Sequence, residues 1–124
     1  MAAALLERSA IARETFLAAN AILGFDLQDI CINGPDTELN RTEYSQPALF
    51  VHSIAALRQL ESEQPELLQS VSHMAGLSLG EYTAVCASGG FSFEAGLRLV
   101  RARGQAMQAA ADAIPGGMAS VLGM

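Results

Sequence analysis

The sequence predicts an α/β protein that is rich in helices, with one internal strand and a second strand beginning at the end of the chain. Several segments carry apolar residues at the spacing of an amphipathic helix, and glycine or proline follows most of them. A short β-favouring segment, 70–76, runs directly into the pattern G-x-S-x-G. The 124 residues suffice for one small domain, but two strands cannot form a covered parallel sheet. We therefore expect the rest of the sheet to lie outside this chain.

The first part of the chain is predicted to be helical. Residues 2–23 are rich in alanine and have apolar side chains at helical spacing, and Gly24 is a suitable residue to end that helix. The stretch "DLQDICING", 26–34, predicts another helical turn or two. A short turn is expected near 36–40, after Gly34-Pro35.

The segment "SQPALFVHSIAALRQLESEQ" is predicted to form a long helix. Ser45 is expected to cap it, and Pro47 then lies in the first turn, where a missing N–H does no harm. Leucine and isoleucine side chains give this helix a broad apolar face. Pro65 ends the polar stretch that follows.

The second half is predicted to run from strand to helix to helix. We expect a buried strand over 70–76, a helix over "GEYTAVCAS" that stops at Gly89-Gly90, and a long helix over 93–113 capped by Ser92. Proline and two glycines break that last helix. "MASVLGM", 118–124, is then expected to begin a strand.

The G-x-S-x-G pattern between strand and helix predicts a nucleophile elbow at Ser78. Such a turn is sharp and strained, and Gly76 and Gly80 remove side chains that would collide with neighbouring backbone. The N–H of Leu79, at the start of the next helix, is free to donate to an oxyanion. Glu81 lies in the first helical turn, where its charge suits the helix dipole. A plain Gly/Ser turn without catalysis stays open as the alternative.

A serine nucleophile needs a base, and the two histidines are poor candidates. His52 lies among apolar residues of a predicted helix and is expected to be a core or boundary residue. His73 lies five residues before Ser78, near the far end of the predicted strand, because a strand advances about 3.3 Å per residue. The sequence therefore offers a nucleophile without a convincing base.

Composition excludes some functions. Thirteen acidic against seven basic residues give a net charge of −6, which argues against nucleic-acid binding. We expect no membrane span and no signal peptide, because no apolar run is long enough and an acidic residue comes early. Cys31 and Cys86 are expected to be buried thiols in a reducing compartment, and we identify no metal site.

Five separated motifs follow one another along the chain: "ETFLAANAILGFDL", "GPDTELNRTEYSQPALFVHSIAAL", "AGLSLGEYTAV", "GGFSFEAGLRLVRARGQAMQAAADA" and "GMASVLGM". In content and in order they resemble malonyl-CoA:acyl-carrier-protein transacylases. The form "GLSLGEYTA", with Leu77, looks most like the plastid and cyanobacterial enzymes. The resemblance implies a partial α/β-hydrolase-like acyltransferase core over 1–117 and the first strand of a ferredoxin-like subdomain over 118–124.

The resemblance also implies roles for individual residues. Ser78 is the nucleophile that carries malonyl as an ester, and the Leu79 N–H forms half of the oxyanion hole. Arg103, in "RGQAMQ", is expected to pair with the malonyl carboxylate, which a guanidinium can grip with two hydrogen bonds. A solvated helix charge is the alternative for Arg103. Gln46 and Met107 match positions near the substrate pocket, although a capping-region polar residue and a core methionine remain equal alternatives.

The implied substrate is the coenzyme A thioester malonyl-CoA, and the implied partner is acyl carrier protein in fatty acid biosynthesis. No bound cofactor is expected. The implied enzyme is a soluble monomer of the plastid stroma or the bacterial cytoplasm.

The family's G-Q-G-S-Q loop and its catalytic histidine have no counterpart in these 124 residues. The chain is therefore expected to be an incomplete piece that is inactive or nearly so. A serine esterase or hydrolase on the same elbow, and a truncated product without catalysis, stay open as alternatives.

Overall fold

The computed structural model describes residues 2–114, 116, 117, 119, 121 and 123. Within those residues the chain forms eight α-helices and no strand. In chain order the helices are α1 (Ala3–Arg8), α2 (Ala10–Leu23), α3 (Leu27–Asn33), α4 (Asp36–Leu39), α5 (Thr42–Glu63), α6 (Pro65–Gln69), α7 (Leu79–Ala87) and α8 (Phe93–Ala113).

The two longest helices, α5 and α8, pack against each other at the centre, with α2 and α7 against them. The fully buried side chains come from α2, α3, α5 and α8; the largest are Phe16, Phe50, Leu27, Leu97, Val51 and Val100. The rings of Phe50 and Phe93 stack at 5.9 Å between centroids, which joins α5 to α8. Because α5 and α8 share one core, side chains at neighbouring positions on the two helices are held close together.

The first predicted helix is divided in two. Ser9 is extended, with φ −117° and ψ 116°, and its hydroxyl accepts a hydrogen bond of 2.9 Å from the Ala12 N–H, so it caps α2. Gly24 ends α2 with φ 78°, as predicted. The helical turns predicted over 26–34 and the turn predicted near 36–40 are present as α3 and α4.

The helix predicted to begin at Ser45 begins earlier, at Thr42. Arg41 is the N-cap residue and makes no side-chain capping hydrogen bond, so Ser45 is not the cap. Pro47 is consequently inside the helix. Because proline has no N–H, the carbonyl of Glu43, four residues earlier, receives no hydrogen bond from it. Pro47 is buried in the core instead, where its ring supplies apolar surface.

The strand predicted over 70–76 is not formed within the described residues. Residues 71–76 have no regular secondary structure and are exposed. A strand requires a neighbour to accept and donate its backbone hydrogen bonds, and no other segment in the described part of the chain is a strand. The segment therefore lies as a loop beside α5 and α7, where it borders an open groove of about 510 Å³.

The predicted helix break at Pro115 and the strand predicted at the end of the chain fall partly or wholly outside the described residues. Of the predicted strand 118–124, residues 118, 120, 122 and 124 lie outside the described residues, as does Pro115. Helix α8 ends at Ala113. Within the described residues, no single helix is long and apolar enough to cross a membrane, although α2 and α3, bent by 119°, pass that test together by length and composition.

Candidate active site

Ser78 occupies a strained backbone position directly before α7. Its φ is 55° and its ψ is −111°, a combination that L residues rarely adopt. Such a conformation costs of order 1–3 kcal/mol and persists only where the surroundings enforce it. Although Ser78 is the N-cap residue of α7, its hydroxyl makes no capping hydrogen bond. The hydroxyl is therefore available for other partners, as the sharp turn of a nucleophile elbow requires.

The two glycines of the motif differ in what surrounds them. A Cβ at Gly76 would lie 2.0 Å from the carbonyl carbon and oxygen of Gly80, so only glycine fits there. A Cβ at Gly80 would meet nothing within 4 Å. The prediction that both glycines avoid a collision therefore agrees with the structure at Gly76, while the described residues supply no neighbour that Gly80 must avoid.

The N–H of Leu79 is available beside Ser78 at the start of α7, whereas the N–H groups of Gly80 and Glu81 bond to the carbonyls of Leu77 and Ser78. Leu79 is the first residue of the helix, so its N–H has no helical carbonyl to bind. Glu81 lies in the first turn of α7, as predicted, where a negative charge interacts favourably with the helix dipole. The Leu79 N–H is thus placed where it could stabilise an anion at Ser78.

Arg103 connects Ser78 to Gln46. Its Nη2 donates a hydrogen bond of 2.9 Å to Ser78 Oγ, and its Nη1 donates to Gln46 Oε1. The guanidinium also lies 5.8 Å from the centre of the Tyr82 ring, on α7. The structure therefore brings together three of the residues predicted from the sequence, from α5, from α8 and from the turn before α7.

Arg103 has no carboxylate partner among the described residues. Arg41 and Arg98 form ion pairs with Glu43 and Glu94, at 2.7 and 2.8 Å. Arg103 instead makes its hydrogen bonds to neutral groups. A guanidinium held in this way can still bind an anion, because a carboxylate makes stronger, charge-assisted hydrogen bonds than a neutral oxygen does.

Met107 lies one helical turn beyond Arg103 on α8 but lines a different hollow. That hollow has a volume of about 340 Å³ and is bordered by Thr42, Met107, Ala110, Ala111, Ile114, Gly116 and Gly117. Ser78 and Arg103 are not among its lining residues. The predicted role of Met107 near the substrate stays a prediction.

Neither histidine is hydrogen-bonded to Ser78 within the described residues. His73 is exposed, and its Nδ1 lies 2.9 Å from Ser72 Oγ. His52 is partly buried on α5, and its Nδ1 is buried without a hydrogen-bond partner in the described part of the chain. That neither histidine is the base for Ser78 stays a prediction.

The described residues contain no group of three histidine, cysteine or acidic side chains that could hold a metal ion. Cys31 is buried and Cys86 is partly buried. Burial raises the pKa of the Cys86 thiol, and the nearby Arg58 opposes that rise. Burial raises the pKa of Cys31 to about 11. Both thiols are therefore disfavoured as nucleophiles at neutral pH.

Sequence reasoning missed Tyr82 and Thr42. Tyr82 follows Ser78 by four residues, which places it one helical turn along α7, and it contacts Arg103 through its ring. Thr42 is the first residue of α5 and bonds to α8. The only sequence signal for the second contact was Gly104, directly after Arg103, because glycine allows helices to approach closely.

The comparisons with known proteins agree on one family. The acyl transferase domain model matches residues 1–123. The mitochondrial malonyl-CoA-acyl carrier protein transacylase of Mus musculus is 44% identical over 111 residues, which are 90% of this chain and 29% of that protein.

Solved structures give the same result. An acyl-carrier-protein S-malonyltransferase from Bartonella henselae has a TM-score of 0.83 and 42% identity, covering 89% of this chain and 35% of that chain. A malonyl-transacylase solved with its type II polyketide synthase acyl-carrier protein has a TM-score of 0.81 and 37% identity, over 93% and 35% of the two chains. The chain therefore spans about a third of these relatives.

Proposed function

Because this chain belongs to the acyl transferase domain family, we propose that it forms the Ser78-bearing part of a malonyl-CoA:acyl-carrier-protein transacylase of fatty acid biosynthesis. The proposed substrate is the thioester malonyl-CoA and the proposed partner is acyl carrier protein, in keeping with the names of the relatives. No bound cofactor is needed for this transfer, because the thioester itself activates the acyl group.

The proposed reaction has two transfer steps. Ser78 Oγ attacks the thioester carbonyl of malonyl-CoA and gives up its proton, the carbon–sulfur bond breaks, and coenzyme A leaves as the thiol. A malonyl-serine ester remains. The phosphopantetheine thiol of acyl carrier protein then attacks that ester and restores the Ser78 hydroxyl. In each step the Leu79 N–H donates to the oxyanion of the tetrahedral intermediate. The base, by resemblance to the family, is a histidine outside this chain.

The observation that carries the proposal is the hydrogen bond from Arg103 Nη2 to Ser78 Oγ, at 2.9 Å. Malonyl differs from acetyl by a terminal carboxylate, which a single methylene group separates from the thioester carbonyl. A malonyl group on Ser78 can therefore fold back to the neighbouring guanidinium. Gln46 holds the other Nη atom and so restricts the orientation of the guanidinium plane. An acyl group without the carboxylate leaves that charge unmatched and is disfavoured.

An esterase on the same elbow is the second candidate. It would use Ser78 and Leu79 in the same roles but has no use for a guanidinium next to the nucleophile. The position of Arg103 therefore favours malonyl transfer over ester hydrolysis.

We further propose that the loop 71–76 becomes a strand when neighbouring strands are present, with 1–117 and 118–124 in the two subdomains implied by the resemblance. The plastid stroma or bacterial cytoplasm is the proposed location.

A chimaera tests the proposal in a complete enzyme. This chain replaces the matching segment of the Bartonella henselae malonyltransferase, and the product is incubated separately with malonyl-CoA and acetyl-CoA. We expect malonylation of Ser78, located by peptide mass spectrometry, and little reaction of the 124-residue chain alone. Arg103→Ala should lower malonylation far more than acetylation, whereas Arg98→Ala, on the exposed side of α8, is the matched control. A chimaera that folds but hydrolyses simple esters and ignores malonyl-CoA would support the esterase instead.

A further inference from the structure

We propose that Gln108 is a positioning residue for Arg103. Its side chain joins the first turn of α5 to α8 and so sets how Gln46 meets the guanidinium. The inference rests on the function proposed above, since it concerns the residues that would hold the malonyl carboxylate.

Gln108 provides the cap that α5 lacks in its own sequence. The N-cap residue Arg41 makes no side-chain capping hydrogen bond, so the first N–H groups of α5 need other acceptors. Gln108 Oε1, on α8, accepts a hydrogen bond of 3.1 Å from the Thr42 N–H and lies 3.3 Å from Thr42 Oγ1. The start of α5 is therefore capped by a side chain from another helix.

Asp112 fixes which end of the Gln108 amide faces Thr42. Gln108 Nε2 donates a hydrogen bond of 2.8 Å to Asp112 Oδ1. A backbone N–H requires an acceptor and a carboxylate requires a donor, so the two partners permit one orientation of the amide. The Gln108 side chain is thereby held at both ends.

Gly104 brings the two helices close together at the same point. The Thr42 hydroxyl donates a hydrogen bond of 3.0 Å to the Gly104 carbonyl. A Cβ at Gly104 would lie 2.5 Å from the Thr42 carbonyl oxygen, so a larger residue would push α5 away. We call Thr42, Gly104 and Gln108 the α5–α8 clasp.

The clasp lies next to the Arg103 site along both helices. Gln46 is four residues after Thr42, one helical turn along α5, and Arg103 directly precedes Gly104 on α8. A shift of the first turn of α5 therefore moves Gln46 relative to Arg103. Because a displacement of about 1 Å can lower a reaction rate about 10²-fold, the clasp would control how well the guanidinium meets a malonyl carboxylate.

The test compares Gln108→Met with Gln105→Met in the 124-residue chain. Methionine is close to glutamine in size but cannot make the two amide hydrogen bonds, and Gln105 is an exposed residue on the same helix. The first readout is the rotation rate of the Arg103 guanidinium by NMR, with its signals identified by their loss in Arg103→Lys. We expect Gln108→Met to increase that rate about tenfold, because the displaced Gln46 no longer holds Arg103 and one hydrogen bond is worth about a factor of ten. Gln105→Met should leave the rate unchanged.

A double variant separates positioning from general stability. Gln108→Glu keeps an acceptor for Thr42 but places a carboxylate against Asp112, so Arg103 should loosen. Adding Asp112→Asn restores a donor for that carboxylate and should return Arg103 to its original rotation rate. If Gln108→Met does not fold, the comparison of Gln108→Glu with the double variant takes its place. The contrary result is a Gln108→Met chain with a lower unfolding midpoint but an unchanged Arg103 rotation rate. Gln108 would then contribute only to stability, and the proposal would be overturned.

The second readout keeps this inference distinct from the proposed function. In the chimaera, Gln108→Met should lower the ratio of malonylation to acetylation on Ser78 about tenfold, while Gln105→Met leaves the ratio unchanged. If Gln108→Met loosens Arg103 but the unaltered chimaera never acquires malonyl, positioning holds and the malonyl function fails. If malonylation proceeds and neither the ratio nor the Arg103 rotation responds to Gln108→Met, the function stands and the positioning role is wrong.

Discussion

Replacing Gly76 with alanine should damage the elbow, whereas the same change at Gly80 should not. A Cβ at residue 76 would lie 2.0 Å from two backbone atoms of Gly80, which cannot rotate away as a side chain can. A forced contact of this kind in packed structure typically costs about 1–3 kcal/mol. Because the Cβ is fixed to the backbone of residue 76 and meets backbone at Gly80, Gly76→Ala is placed near the upper end of that range.

The matched variant is Gly80→Ala. No atom lies within 4 Å of a Cβ there, and Gly80 is in α7, where alanine is favoured over glycine by up to about 1 kcal/mol. The two substitutions should therefore differ by about 3 kcal/mol. In a chain of this length, 1 kcal/mol corresponds to a shift of about 4 °C in melting temperature, so the two variants should melt about 12 °C apart.

The assay is thermal and urea unfolding followed by circular dichroism, with labelling of Ser78 by a serine-reactive fluorophosphonate as a second readout. Gly76→Ala should lower both the midpoint and the labelling, because the turn can no longer hold Ser78 in its strained conformation. Equal midpoints for the two variants, or greater damage from Gly80→Ala, would refute the reasoning. Harm from Gly80→Ala in the chimaera alone would mean that the neighbour of Gly80 lies outside this chain.

Two other predictions follow from single residues. Ser78→Gly should stabilise the chain by about 1 kcal/mol, because glycine adopts a positive φ without strain, and should abolish acylation; Ser78→Ala, which keeps Cβ, should lose acylation without gaining stability. Stability should fall as the pH rises from about 8.5, where an unfolded thiol ionises, towards about 11, the pKa to which burial raises Cys31, because the folded state holds its proton longer. Urea unfolding across that range should show a weaker pH dependence in Cys31→Ala; an identical slope would contradict this assignment.

Local rules predicted most of the helices. The cap at Ser92 is present, with its hydroxyl accepting from the Ala95 N–H at 3.2 Å, and the end of α2 at Gly24 is also correct. These signals act over a few residues, so the sequence alone reveals them. The start of α5 was misplaced for the opposite reason. Its cap is Gln108, 66 residues away from Thr42, and no local pattern shows an acceptor contributed by another helix.

The strand predicted over 70–76 is not formed within the described residues because a strand depends on its neighbours. The composition of the segment favours β structure, but its backbone hydrogen bonds require partners that the described residues do not offer.

The site was more predictable than the sheet. The turn at Ser78 follows from its flanking glycines, and the resemblance identified Arg103 and Gln46. The approach of Tyr82 to Arg103 depends on how α7 packs against α8, which only the structure shows.

The most direct test of the account is the acyl selectivity of Ser78 in the chimaera. The fraction of the Ser78 peptide that carries malonyl is measured against the fraction that carries acetyl, before and after Arg103→Ala. One charge-assisted hydrogen bond is worth about 1.5–3 kcal/mol, so we expect the malonyl rate to fall about 10- to 100-fold while the acetyl rate changes little. Equal losses for the two acyl groups, or acylation at a residue other than Ser78, would contradict the claim that Arg103 holds the malonyl carboxylate beside the nucleophile.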